Sequence, residues 1–391
     1  MADRLPPWVR VAAAMFAVGW GANQFAAMLL VYRDEDGASA EAVTALFGAY
    51  ALGLIPALLV VAPISDRIGR RRVMRPVLVL SVVATVLLLA GGDNLTLLLL
   101  GRMASGIASG AAFAPGTAWV KELSADRPGG TGARRAALSL SAGFGTGPLV
   151  AGICGQWLPW PTVTPYVPHL LLMAVVLAVA WNAPEPARAP RVGGPRSKAV
   201  VQAVGSRVFL LRVVLTAPWV FGAAATAFAT VPTFVSLDVA PVAVIGALAG
   251  LTLLSGALVQ PIGRRLHDPR RILVAGLLAC SAGLACGLGV AALDSAWLVV
   301  PSVVLLGTAY GWILVGGLTT VEEVAHSDDL GTVNAVFYSL SYLGFAAPLL
   351  NTFALRVMSP ERLMLTGIAV ALLTIPVVLS GTVRSRPLRA G

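Results

Sequence analysis

The sequence predicts an all-α membrane protein of twelve transmembrane helices in two pseudo-symmetric six-helix bundles, and three observations predict it. Of its 391 residues, 57% are hydrophobic and only 12% charged, about half the charged share of a water-facing domain. The apolar residues come in long uncharged runs, each near the ~20 residues that a helix needs to cross a bilayer. The two halves of the chain also echo each other at a spacing near 200 residues.

The first set of runs covers about 11–32, 42–63, 75–91, 95–120, 136–158 and 166–183; the second covers about 213–235, 241–262, 272–293, 296–320, 333–355 and 363–383. In hydrocarbon each backbone polar group must be satisfied within its own segment, so each run reads as a helix. The first is too long for a signal-peptide core and is followed by runs of the same kind, so it reads as a retained span. Between the sets, Pro184 to Arg212 is rich in Pro, Gly and Arg. The domains are therefore 1–183, a linker at 184–212, and 213–391.

A net charge of +10 would suggest nucleic acid in a soluble protein, but placement decides otherwise. Of the 28 Lys and Arg residues, 24 fall on one side: in both termini, the linker, and the second, fourth and eighth loops. Arg33, Arg356 and Arg362 fall on the other, and Arg102 lies inside a span. The positive-inside rule makes both termini cytoplasmic and the number of spans even. The expected setting is the inner (plasma) membrane, multi-pass, with the lipid bilayer and a small-molecule substrate as partners, no nucleic acid, and a monomeric state. Cys154, Cys280 and Cys286 sit in apolar runs without ligand spacing. They read as inert core thiols, with no metal and no cofactor.

The echo between the halves is specific. Pro63-Ile64 recurs as Pro261-Ile262, Gly106 and Gly110 as Gly307 and Gly311, Glu122 as Glu322, and Pro148 as Pro348, at offsets of 198 to 201. A duplicated six-span unit is the repeat architecture of secondary transporters.

Three segments carry chemistry. The second loop contains Ser65-Asp66-Arg67-Ile68-Gly69-Arg70-Arg71-Arg72. Gly69 allows a tight turn, Asp66 can face a helix N-terminus, and the arginines can reach a carboxylate such as Glu122, forming breakable latches on the cytoplasmic side. A plain topological cluster of arginines is the competing reading. In span four, Arg102 lies eight residues beyond Asn94, about 12 Å along a helix. An unpaired guanidinium there costs at least ~2.5 kcal/mol, so it faces a polar cavity or partner unless it snorkels to the interface. Span five reads Gly143-Phe144-Gly145-Thr146-Gly147-Pro148, followed by Ala151-Gly152. Its glycines form a face for close helix approach, and Pro148 softens the helix.

With these segments the chain resembles the major facilitator superfamily, whose second loop has the pattern Gly-x-Leu-Ala-Asp-Arg-x-Gly-Arg-Arg-Arg. The match runs from Asp66 onward, while the eighth loop, Gly263 to Arg271, is a degenerate copy. The resemblance implies gating by Asp66, Arg67, Gly69, Arg70, Arg71, Arg72 and Glu122, and proton coupling by Arg102, although Ser105 replaces the family's Gln. The span-five pattern Gly-x-x-x-Gly-Pro-x-x-Gly-Gly marks the drug:proton antiporter-like exporter branch. It implies a helix bend at Gly143, Gly147, Pro148 and Gly152, with Ala151 as the one departure.

Antiporters of the family keep an embedded carboxylate, yet all 18 acidic residues here lie in loops, tails or at span ends. Asp34 and Glu41 are the nearest candidates for carrying the proton, with a solvated outer loop as the competing reading. A substrate pocket near midplane is expected from Asn23, Gln24, Phe144, Phe228, Tyr310, Asn334, Tyr338 and Tyr342. Without a buried carboxylate, neutral or weakly anionic amphiphiles fit better than strong cations.

The resulting expectation is a transporter exporting a small drug-like or metabolite amphiphile by alternating access, driven by the proton gradient. Such activity implies multidrug resistance by efflux, and the Ala-, Arg- and Gly-rich composition points to a bacterial source. An importer or facilitator is the rival. A polytopic enzyme is disfavoured because His169, His267 and His326 are scattered and no catalytic motif occurs.

Overall fold

The computed structural model describes residues 5–35, 37–128, 130–185, 197–326 and 329–380. It is helical throughout, with no strand among the described residues. Twelve helical segments follow the predicted runs: α1 (Pro7–Asp34), α2 (Ala40–Ile68), α3 (Arg70–Gly91), α4 (Leu95–Glu122), α5 (Thr131–Trp157) and α6 (Thr164–Ala180). The second set is α7 (Phe209–Phe234), α8 (Pro241–Arg264), α9 (Pro269–Leu293), α10 (Ala296–Val324), α11 (Leu330–Ala354) and α12 (Pro360–Ser380). Eleven are long and apolar enough to cross a bilayer, and α6 is the shorter one.

Local chemistry sets the ends. Ser39 caps α2 by accepting from the amide of Ala42, and Asn94 caps α4 by accepting from Thr96 and Leu97. Gly69 takes φ 110° and ψ 151° between α2 and α3, a backbone region open only to glycine. This is the tight turn expected from the sequence.

The linker differs from expectation at its end. A short helix, Ser197–Val204, lies within it, and α7 starts at Phe209 with a π-helical turn, so Arg212 lies inside α7 rather than before it. Arg188, Arg191 and Arg196 of the linker and Arg384, Arg386 and Arg389 of the tail lie outside the described residues.

Lipid tails are as apolar as the helices, so association relies on close packing of small residues. Cβ atoms added at Gly106 and Gly110 of α4 would run into the carbonyls of Tyr50 and Leu54 on α2. In the second half, Gly307 and Gly311 of α10 press the same way on Thr252 and Gly256 of α8. Gly143 of α5 against Phe16 of α1 matches Gly344 of α11 against Pro218 of α7. The sequence echo is therefore a repeat of packing contacts. The periphery is apolar and exposed, as at Leu258 and Leu373 (74% and 70%), as a lipid-facing surface requires.

With helices crossing alternately, Pro7 and Ile68 share one face, here the N-terminal face, while Asp34 and Ala40 share the opposite, far face.

Candidate functional site: a bundle interface closed at the far face

The two bundles meet through α5 and α8, and through α2 and α11. Along α5, Gly143 and Gly147 turn to α1, where the carbonyl of Trp20 would lie 2.6 Å from a Cβ at Gly147. Gly145, the Pro148 carbonyl and Gly152 turn to α8, packing on Leu254, Gly246 and Val242. The segment marked by the sequence is thus a two-sided packing face at the bundle boundary. Helix α5 is one α-helix through Pro148, with no break at the expected bend. Pro148 lacks the amide that would bond the Phe144 carbonyl. Beyond Gly152, Gln156 Oε1 accepts from the amide of Val242 at 2.9 Å, tying the far ends of α5 and α8.

On the other side, Glu41 at the start of α2 pairs with Arg356 after α11 at 2.7 Å. Below this pair lies a connected set of rings from both bundles. Phe47 meets Phe228 and Phe345, Tyr50 meets Tyr342 and Phe345, and Phe221 stacks on Tyr342 at 4.4 Å and also touches Tyr310. The contacts of Phe47 and Tyr50 with Phe228, Phe345 and Tyr342 join the bundles between the middle of the helices and the far face, while Phe221 meets Tyr342 and Tyr310 within the second bundle. Offset and edge-on ring pairs contribute about 0.5–1.5 kcal/mol beyond their buried area, so this set helps the α5–α8 crossing seal the interface.

Arg102 stands directly behind it. Its guanidinium is 0% exposed, so it does not snorkel. Nε donates to the Leu46 carbonyl at 3.1 Å, Nη1 to Ala22 at 3.3 Å and Nη2 to Phe47 at 3.0 Å. Its carbon lies 4.6 Å from the ring centre of Phe25, 4.8 Å from Tyr50 and 5.7 Å from Phe47. Carbonyl dipoles and ring faces replace a carboxylate as the counter-charge. Phe47 and Tyr50 touch Arg102 on one side and the second bundle on the other, so Arg102 and the seal share two side chains.

The acidic candidates are placed elsewhere. Asp34 is exposed at the end of α1, and Glu41 is half-buried in its pair with Arg356. Neither is among the groups that bind the Arg102 guanidinium. Among the described residues, acidic side chains occupy loops and helix ends, as the sequence reading expected.

At the N-terminal face, Arg70 joins two carboxylates, Asp66 at 2.5 Å and Glu122 at 3.0 Å. This links α2, α3 and α4 inside the first bundle, whereas the sequence left open which arginine would do so. Arg67 and Arg72 are exposed and Arg71 half-buried. The second bundle has its own pair, Arg212 with Glu323 at 3.2 Å. Each of these ion pairs joins helices of one bundle.

Of the expected pocket residues, Phe228, Tyr310 and Tyr342 belong to the shared ring set. Gln24 is buried inside the first bundle and donates to Thr85 of α3 at 3.4 Å. Asn23 is bonded within its own helix, to the Gly19 carbonyl. Phe144 packs edge-on to Phe113 of α4, and Tyr338 packs on Phe337. Asn334 Oδ1 is buried without a hydrogen-bond partner among the described residues, as is Trp20 Nε1. Sequence reasoning missed Phe47, Tyr50, Phe221, Phe345, Trp20 and Arg356. Aromatic residues in apolar runs look alike until the helices are docked, and Arg356 read only as an outer-loop charge.

A family model described as Major Facilitator Superfamily matches residues 11–348. A point mutant of the nucleoside transporter NupG superposes with a TM-score of 0.73 at 10% identity, covering 96% of this chain and 100% of that one. The POT family transporter PepTSo gives 0.75 at 11% identity, covering 96% and 97%. An auto-inhibited POT family peptide transporter gives 0.71 at 11% identity, covering 99% of each chain. No curated protein matches significantly. Identities this low speak for the fold alone, but the family match spans most of the chain, and with it the chain belongs to the Major Facilitator Superfamily as an integral, multi-pass secondary transporter.

Proposed function

We propose that this transporter exports a small amphipathic molecule, neutral or weakly anionic, by alternating access in exchange for protons. The observation that carries the reading is the position of the Gly143 to Gly152 segment. Its exporter-type pattern packs on α1 with one side and on α8 of the other bundle with the other, so sliding along it changes the bundle angle. The ring set of Phe47, Tyr50, Phe221, Phe228, Tyr310, Tyr342 and Phe345 contains no carboxylate and suits an apolar, ring-bearing ligand. The unpartnered Trp20 Nε1 and Asn334 Oδ1 supply one donor and one acceptor for its polar groups. Arg102 adds positive potential that disfavours a strongly cationic one.

The test uses everted membrane vesicles from a bacterial host stripped of its own efflux pumps, with the neutral amphiphile N-phenyl-1-naphthylamine as probe. The expected result is uptake that requires an acid interior and this chain, and that is lost in R102A while membrane insertion is retained. Uptake indifferent to a protonophore refutes antiport, and movement of the dye only in the opposite direction refutes export. The reading also places the Asp66 to Arg72 turn in the cytoplasm. A cysteine introduced at Arg72 and labelled from outside intact cells overturns that orientation.

A further inference from the structure

Proton exchange needs a group that changes charge, and the carboxylates lie at helix ends. Among the described residues, the interior of the first bundle also contains His169 of α6, a titratable side chain with two well-placed partners. It is 0% exposed. Its Nδ1 lies 2.8 Å from Thr85 Oγ1 of α3, and its Nε2 lies 3.0 Å from the Ala17 carbonyl of α1. A carbonyl can only accept, so Nε2 carries the proton and donates to Ala17. Nδ1 then accepts from the Thr85 hydroxyl, which in turn accepts from Gln24 Nε2 at 3.4 Å. The chain of bonds has one sense, and Gln24 Oε1 at its end is buried without a partner.

The ring is closely packed. Gly21 of α1 lies against the ring, and a Cβ there would come within 2.7 Å of Cε1 and Nε2. Gln24 sits at the join between the Pro7–Asn23 and Phe25–Asp34 segments of α1, with helical backbone angles. Two residues earlier, the Ala22 carbonyl accepts from Arg102. Toward the far face, Tyr166 precedes His169 by three residues, one turn along α6, and its hydroxyl lies 2.7 Å from that of Tyr32. Tyr32 in turn lines a cavity of about 250 Å³ at the far face, whose wall includes Ser39 and Asp93.

Resting on the proton-exchange reading above, we propose that His169 is the group that carries the exchanged proton, with Thr85 and Gln24 as positioning residues and the Tyr166–Tyr32 pair leading toward the far-face cavity. A proton arriving at Nδ1 converts it from acceptor to donor. The Thr85 hydroxyl must then accept from the ring and turn its own hydrogen to Gln24, whose amide flips to present Oε1. The flip acts at the joint of α1, two residues from the carbonyl that holds Arg102, and so reaches Phe47 and Tyr50 in the bundle seal. Loss of the proton restores the original sense. The charged groups on the elements packed around α6 are Arg10, Arg33 and Asp34 of α1, Arg70, Arg71, Arg72 and Arg75 of α3, and Arg134 and Arg135 of α5, all toward helix ends; the other titratable groups are Tyr32, Cys154 and Tyr166 itself, with Arg102 behind α1 and Asp93 beyond the end of α3. Arg10 and Arg75 bond to the Val179 and Trp181 carbonyls at the opposite end of α6, away from the ring.

Two measurements test the proposal. His267 and His326 are exposed, so H267N/H326Q leaves His169 as the single histidine; Asn suits the left-handed φ of position 267. Nitrogen-15 spectra of this full-length variant in lipid nanodiscs should show Nε2 protonated at neutral pH and Nδ1 gaining a proton within the pH range over which uptake is driven. T85V should move that midpoint. A ring that stays neutral throughout that range, or a midpoint indifferent to T85V, overturns the proposal. The second measurement compares downhill exchange of N-phenyl-1-naphthylamine in proteoliposomes with uptake driven by a pH gradient. H169Q keeps a donor for Ala17 and an acceptor for Thr85, so exchange should stay within about two-fold while driven uptake falls at least ten-fold. Driven uptake that survives, or equal loss of both activities, overturns it. If the wild type moves no dye under a pH gradient, the coupling reading fails by itself, and the titration still decides whether His169 takes up a proton.

Discussion

Gly246 offers a sharp test of how the far face is held shut. A Cβ at this position would run into the Pro148 carbonyl oxygen, and would lie 3.1 Å from Gly152 Cα and 3.2 Å from the Pro148 carbonyl carbon. These neighbours are backbone atoms of a packed helix, so they yield only if α5 and α8 separate. Overpacking of this kind costs about 1–3 kcal/mol, and the open conformation escapes it because the crossing is broken there. G246A should therefore lower the closed-to-open ratio by a factor of about 5 to 160, from the Boltzmann relation with RT near 0.6 kcal/mol. Spin labels at Leu158 and Val239, exposed to 49% and 79% at the far ends of α5 and α8, read the change as growth of a longer distance in pulsed electron resonance. G311A is the control. Its new Cβ would strike Gly256 of α8 within the same bundle, so it should lower thermal stability without lengthening the distance. An unchanged distribution in G246A, or equal lengthening in both variants, refutes the claim that this crossing is what opens.

Three further outcomes follow from the same geometry. E41Q and R356Q should each enlarge the open far-face population in the same distance measurement, and the exchanged pair E41R/R356E should restore the wild-type distribution; a pair no better than either single variant disproves the latch. G69A forces a side chain into a backbone region open only to glycine and should cost about 1–3 kcal/mol, seen as a lower midpoint in a detergent thermal-shift assay, whereas an unchanged midpoint shows that the turn can relax. R70Q should break the contacts to Glu122, Asp66 and Ser65 together and raise labelling of a cysteine at Ser65, which is buried at 1%; labelling equal to that with Arg70 in place argues that the network is decorative.

Much of the fold was legible because the bilayer imposes few solutions. The uncharged runs located the helices, Gly69 announced its turn, and Gly106, Gly110, Gly307 and Gly311 announced the repeat, since a glycine at a helix crossing leaves the same mark in both halves. Arg102 was legible because a guanidinium twelve ångströms into a span needs a reason. Its ligands were not, because carbonyls and ring faces carry no signature in the sequence. The start of α7 was set four residues late because Arg212, counted as linker, is buried inside it at 1% exposure.

By itself, then, the sequence determined which segments enter the bilayer, that they form a doubled unit, and where the close crossings fall, because hydropathy, charge and glycine spacing act locally along a helix. Only the tertiary structure decided which rings from the two halves meet, that Glu41 closes on Arg356 rather than serving Arg102, and that His169, Thr85 and Gln24 share one chain of hydrogen bonds. Those relations depend on the rotation and register of helices far apart in sequence, which backbone close approach fixes and composition does not encode.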